Sequence, residues 1–213
     1  VIVPQAVMSN MKDTFDSEDH TKPGYYKPNQ TALLLLDFHS LFVNKAGGPN
    51  GPNALAAASN LRTWAKSRGI IVIHALIDVD QIPFPTCKGA DRLIGFLTAM
   101  KSGGAEEPEE LLHDTDMNDF TFTRTPGHVS ALKSPGLIEF LEEKNIKSLV
   151  LTGLSTSGCV MRTAITATDA EFVVTVISDA CADSDQGVHD MMMEKVLTSR
   201  AYVTTAIEFQ NGF

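Results

Sequence analysis

Cysteine is scarce in this chain of 213 residues: only Cys87, Cys159 and Cys181 occur, and no two of them form a Cys-x-x-Cys pair. Three thiols cannot all pair within one chain, so a disulfide framework is not expected and each thiol needs its own explanation. Long apolar runs are also lacking. The longest strongly apolar stretch, residues 32–36, falls far short of the roughly 20 residues that span a bilayer. Residues 1–12 have neither the basic start nor the apolar centre of a secretion signal. No membrane partner is expected, and a cytoplasmic location is. Basic clusters are missing too: 17 Lys and Arg stand against 26 Asp and Glu, a formal net charge of -9. Such a chain repels a phosphate backbone, which argues against nucleic acid as a partner.

What is present is an ordinary globular composition, 43% hydrophobic and 20% charged, in a chain long enough to bury a sizeable core. Thr31-Ala-Leu-Leu-Leu-Leu-Asp37 is a short continuous apolar run of the kind a strand shows when both its faces are covered. A helical stretch follows over residues 53–67, with Leu55, Ala58, Leu61 and Ala65 on one face, and then a second strand-like run over residues 69–74. The same alternation returns later. Helices are expected over residues 136–143, 157–170 and 188–199, and strands over residues 120–124, 148–153, 172–178 and 201–205. Buried strands alternating with amphipathic helices predict a single α/β domain, a three-layer α/β/α, doubly wound and mainly parallel sheet of Rossmann type.

Two segments break the pattern. Residues 1–30 are polar and interrupted by Pro4, Pro23, Gly24 and Pro28, and read as an N-terminal arm preceding a domain over residues 31–213. Residues 78–119 are punctuated by Pro83, Pro85, Gly89, Gly103, Gly104 and Pro108 around one short helix candidate, residues 93–100, and read as an insertion over the active edge.

In parallel α/β sheets ligands bind beyond the carboxyl ends of the strands. Asp37 ends the first strand, Arg124 ends a middle one, and Cys159 opens the helix that follows residues 149–152. A cysteine at a helix N-terminus is expected to have its pKa lowered by the helix dipole, which makes a nucleophile that alkylates readily near pH 6. The small polar residues from Gly153 to Gly158 can turn backbone N–H groups toward a developing oxyanion, and Asp37 can take the thiol proton and return it to a leaving amine. The plainer readings are a buried structural thiol for Cys159 and a turn residue for Asp37.

Leu149-Val-Leu-Thr-Gly-Leu-Ser-Thr-Ser-Gly-Cys159-Val-Met-Arg-Thr-Ala, continuing to Val176-Ile-Ser-Asp-Ala-Cys-Ala-Asp183 and His189, resembles the nucleophile region of isochorismatase-like cysteine hydrolases. Together with Leu33-Leu-Leu-Leu-Asp37-Phe-His-Ser-Leu-Phe42 the resemblance covers the chain from about residue 30 to its end. It implies a catalytic Asp, Lys and Cys, a backbone oxyanion hole beside the cysteine at Gly158 and Cys159, and a non-proline cis peptide just upstream, here Leu154-Ser155. Asp37 and Cys159 match the family's positions; the lysine does not. The basic residue nearest its place is Arg124, with Lys133 further on. The expected triad is therefore Asp37, Arg124 and Cys159. His39 stands near the metal-binding position of the related nicotinamidases, but no Asp-x-His cluster follows it. Neither a metal nor another cofactor is expected.

The expected reaction is hydrolysis of a small amide or related acyl compound through a thioester on Cys159. The alternatives are vinyl ether cleavage of the isochorismate kind, in which the resemblance puts a residue other than cysteine at position 159, and a non-catalytic binding protein that has lost the lysine. Phe38, His39, Phe42, His74, Phe84, Phe122 and Lys133 are expected to border the substrate, and Cys87 is a further candidate for the pocket wall. Cys181, His189 and the methionines 191–193 read as packing, and Glu106, Glu107, Glu109 and Glu110 as a solvated acidic face. A homo-oligomer, dimer or tetramer, is implied by the resemblance.

Overall fold

The run after residue 30 forms β1 (Thr31–Leu36), buried at every position because it lies in the interior of a sheet covered on both faces. A computed structural model describes residues 13–112 and 119–213. Residues 1–12 of the expected arm, and residues 113–118 near the end of the expected insertion, lie outside the described residues.

From β1 the chain passes through α1 (Ser40–Lys45) and α2 (Gly51–Ser67) to β2 (Ile71–Ile77). It crosses the insertion with α3 (Ala90–Lys101) and reaches β3 (Asp119–Arg124). Then come α4 (Leu137–Glu143), β4 (Ser148–Leu154), α5 (Met161–Asp169), β5 (Val173–Ala182), α6 (Gln186–Met191), β6 (Tyr202–Thr204) and α7 (Ala206–Gly212). The six strands are all parallel, in the order β3-β2-β1-β4-β5-β6. Direction along the sheet reverses between β1 and β4, and a crevice opens at such a point beyond the strand ends.

Strand side chains alternate between two cores. Leu34, Leu36, Leu149, Leu151 and Val176 pack with α4 and α5, while Leu33, Leu35, Val72, Val150 and Ile177 pack with Leu55, Leu61 and Ala65 of α2 and Phe209 of α7. This is the three-layer, single-domain arrangement that the alternating pattern predicts.

Several boundaries differ from the sequence reading. β5 runs past Ser178 to Ala182, because Cys181 and Ala182 pair with Gly153 and Leu154 across a register shift in β4. The polar Asp179 that signals a stop in the sequence is exposed and accepts a hydrogen bond from the Ala206 N–H at 2.8 Å. The helix expected over residues 188–199 starts earlier, at Gln186, and widens over Met192–Val196 before a last tight turn. Of the arm, Phe15 packs edge-on against Phe209 with ring centroids 5.7 Å apart.

The insertion is fastened to the sheet by charge. Arg62 of α2 donates to Asp119 at the start of β3, and the Lys66 ammonium lies 3.3 Å from the other oxygen of that carboxylate. His74, in the middle of β2, bonds through Nδ1 to Glu107 at 2.8 Å, and its Nε2 faces Asp119. Glu107 is therefore not part of a solvated face: its side chain is 7% exposed. Replacing it with Gln keeps the shape but weakens a buried charge-assisted bond. Glu107→Gln is expected to cost about 1–3 kcal/mol in a denaturant titration, with proteolysis in residues 78–112 accelerated. An unchanged midpoint would mean that the cluster does not fasten the insertion.

Candidate active site

Asp37 follows the last residue of β1 with φ 55. This left-handed backbone, tolerated by Asp better than by most residues, turns the chain off the strand, and the Asp37 N–H bonds to the Ala75 carbonyl at 3.0 Å. Arg124, the last residue of β3, reaches the same carboxylate from two strands away. It donates through Nη1 to Oδ1 at 3.0 Å and through Nη2 to Oδ2 at 2.5 Å, while its Nε donates to the His128 carbonyl at 2.9 Å. The guanidinium is 1% exposed. Burial works against its charge, but the Asp37 carboxylate outweighs burial and holds the guanidinium above its ordinary pKa.

Between these groups and Cys159 lies the turn at the end of β4. Gly153 has φ 147, and a Cβ there would come within 2.4 Å of the Leu36 carbonyl oxygen, so only glycine lets β4 approach the end of β1 this closely. The next peptide, Leu154-Ser155, is cis. Ser157 is held by Asp183, which accepts from its N–H at 2.9 Å and from its hydroxyl at 2.7 Å, and Thr156 is bonded to His189 Nδ1 at 2.8 Å. The Gly158 N–H bonds to the Ser155 carbonyl at 3.1 Å.

Cys159 is 3% exposed, and its thiol donates to the Leu154 carbonyl at 3.0 Å. Burial pushes this thiol well above its ordinary value, Asp37 pushes the same way, and Arg124 opposes them only in part. The lowering expected from a helix dipole is thus overturned. Gly158 has φ -95 and ψ -109, a break in the helical backbone directly before Cys159, and the regular helix α5 begins at Met161. Burial and Asp37 thus both favour the neutral thiol over the thiolate. Iodoacetamide at pH 6 is accordingly expected to leave it intact and to reach the less buried Cys87 first, which peptide mass spectrometry would resolve.

Burial also raises the Cys181 thiol. Both groups stay protonated in the fold and ionise more readily when unfolded. Above the ordinary thiol range the unfolded chain therefore binds fewer protons, and stability falls as pH rises. The expected loss is up to about 1.4 kcal/mol per thiol for each pH unit in this range. Denaturation midpoints between about pH 8 and 10 should fall less steeply in Cys181→Ala than in the wild type; equal slopes would refute this.

Asp37, Arg124, Leu154, Ser155, Gly158 and Cys159 all line one cavity of about 550 Å³, with Phe42. The other expected pocket residues do not line it. Phe38 is fully buried in the core on the α2 side, because the turn at Asp37 sends adjacent side chains in opposite directions. His39 bonds through Nδ1 to the Ala105 carbonyl at 2.6 Å, and His74 belongs to the charge cluster because it lies three residues short of the end of β2. Phe84 lies tilted against His128 with ring centroids 4.9 Å apart, Phe122 packs against Phe140, and Lys133 is exposed. The sequence reading missed Lys88, Arg92, Leu93 and Phe96, which the insertion brings to the cavity together with Cys87, weighed for the pocket wall only as the lesser alternative. A partial signal was present: Arg92, Leu93 and Phe96 have the spacing of one helix face, whereas Lys88 precedes α3.

A doubly wound parallel sheet with a buried cysteine, aspartate and cation converging at its switch point defines an α/β domain of hydrolase type. The Isochorismatase domain family model matches residues 31–208, and the chain belongs to the isochorismatase family of hydrolases. Its fold is similar to that of a cysteine hydrolase from Pseudomonas syringae pv. phaseolicola, at 17% identity and a TM-score of 0.75, covering 88% of this chain and 93% of that one. A pyrazinamidase/nicotinamidase from Streptococcus mutans is similar at 22% identity and a TM-score of 0.63, covering 81% and 99%. An octameric hydrolase of unknown specificity from Escherichia coli is similar at 17% identity and a TM-score of 0.65, covering 88% and 81%. No curated protein matches in sequence. Among the described residues no helix is long and apolar enough to cross a membrane.

Proposed function

We propose that the protein hydrolyses the C–N bond of a small amide through a thioester on Cys159. The observation that carries this reading is the meeting of Cys159 with the Asp37–Arg124 pair in one cavity at the switch point of the sheet.

Because the thiol is neutral before substrate arrives, its proton leaves as sulfur attacks rather than beforehand. The Sγ–H swings from the Leu154 carbonyl to Asp37, sulfur bonds to the substrate carbonyl carbon, and charge builds on the carbonyl oxygen. Backbone N–H groups of Gly158 and Cys159 receive that charge, Gly158 by giving up its bond to Ser155. Asp37 passes the proton to the departing nitrogen, the C–N bond breaks, and an acyl-cysteine remains. Water then attacks the thioester with Asp37 as base, releasing the acid and restoring the thiol.

Arg124 holds Asp37 by both oxygens and supplies fixed positive charge. Each carboxylate oxygen keeps a lone pair for the proton, so the pairing does not block the base. Arginine exchanges no proton near neutrality, so the proton traffic falls to Asp37. A triad of Asp37, Arg124 and Cys159 is supported by this geometry; the exposure of Lys133 argues against that lysine as the cation.

The test is ammonia or amine release from a panel of small amides, with mass spectrometry for an acyl adduct on Cys159 after acid quench. An adduct on Cys159 that forms and decays with turnover supports the reading. Turnover of a vinyl ether such as isochorismate, with none of any amide, would overturn it. Self-association is proposed on the same footing, and sedimentation would decide it.

A further inference from the structure

The chemistry above leaves unused two side chains that face the same cavity. Lys88 and Arg92, from the insertion, line it on its solvent-exposed side, and neither forms an ion pair among the described residues. Elsewhere basic residues of this acidic chain do find carboxylates, as Lys22 does with Asp13 and Lys101 with Asp80. Asp37 is the only carboxylate lining the cavity among the described residues, and Arg124 engages both its oxygens. The charge of Lys88 and Arg92 is therefore not cancelled from within the site.

Much of the rest of the cavity wall is apolar. Phe42, Ile77, Leu93 and Phe96 line it, and Phe42 and Phe96 lie with ring centroids 5.2 Å apart. An apolar surround excludes water and strengthens the attraction of the rim for an anion. An arginine fork beside a lysine matches the two oxygens of a carboxylate.

We propose that the preferred substrate is an ω-carboxylated amide: an amide at the cysteine end, an apolar spacer along the phenylalanine wall, and an acid group bound by Lys88 and Arg92. This deepens the amide-hydrolysis reading and rests on it for the position of the reacting bond.

The test uses monoamides of straight-chain dicarboxylic acids, from succinamic to suberamic acid, each beside the neutral amide of the same chain length. Binding is measured by calorimetry on Cys159→Ala, so that it does not depend on turnover. At its best length the acid should bind at least about tenfold more tightly than its neutral partner, and the advantage should shrink as salt rises. In Cys159→Ala combined with Lys88→Ala and Arg92→Ala the advantage should fall below about threefold, whereas Cys159→Ala combined with Lys195→Ala and Arg200→Ala, an equal loss of two charges at exposed residues outside the cavity lining, should keep it. Equal affinity within every pair, no binding of any acid, or an advantage that survives the Lys88/Arg92 replacement would overturn the proposal. Preferential binding of the acids with no wild-type turnover of any amide would leave the anion site standing and remove the amidase reading; turnover without preference would do the reverse.

Discussion

Replacing Cys159 with alanine should lower amide turnover by at least about 1,000-fold while leaving a folded protein. The loss is large because Cys159 is the thiol set beside Asp37: Cys181 packs against the Leu151 carbonyl in the core on the α5 side, and Cys87, which lines the same cavity, directs its thiol to the Lys88 carbonyl at 3.8 Å. The stability cost should be only about 1 kcal/mol, since one small buried atom is removed. Serine at this position tests the chemistry more sharply. It keeps a hydroxyl beside Asp37 but is far less nucleophilic, so Cys159→Ser should be nearly as inactive as alanine and should accumulate no acyl adduct. Steady-state rates and denaturant midpoints of the three proteins decide the matter. A variant within tenfold of the wild type would remove Cys159 from the mechanism.

The second large effect is expected at Arg124. Arg124→Met leaves the Asp37 carboxylate, itself 2% exposed, buried without its partner, and should cost about 3–5 kcal/mol. Asp37→Asn strands the guanidinium and should cost a similar amount. The double replacement removes both charges and should cost clearly less than the two single losses together, because they share one interaction. Activity separates the roles further. Arg124→Lys keeps a cation but loses the two-pronged grip and the bond to the His128 carbonyl, so it should retain measurable turnover where Arg124→Met falls by about 100-fold or more. If Arg124→Met unfolds, the lysine variant still carries the test: a wild-type rate there would mean that the fork geometry is dispensable, and additive single and double losses would mean that the pair is not coupled.

Much of this site could be read before any coordinates. Asp37 stands at the abrupt end of one apolar run and Cys159 opens the helix that follows another, and parallel strands bring such ends to one edge. Arg124 was legible in the same way, as the basic residue closing a middle strand. The wall of the cavity was not. His74 is polar and near a strand end, yet the register of β2 places it beside Glu107 and Asp119; Phe38 directly follows Asp37, a candidate catalytic residue, yet the turn there buries it in the opposite core. Lys88 and Arg92 sit in a segment whose Pro and Gly content reads as an insertion, and Phe96 in its one helix candidate; only the folding of that segment back over the strand ends brings them near Cys159.

Local sequence determined what local physics controls: the strands buried on both faces, the helices between them, the parallel order they require, and the groups left at the strand ends. The tertiary structure alone decided the ionisation of Cys159, because a thiol's pKa depends on how completely it is buried and which charges face it. In this fold burial and Asp37 outweigh Arg124, and the sulfur stays protonated. It alone decided, too, which distant side chains enclose the cavity, since those contacts arise from packing the insertion onto the sheet, and spacing along the chain can group residues on a helix face without saying what that face meets.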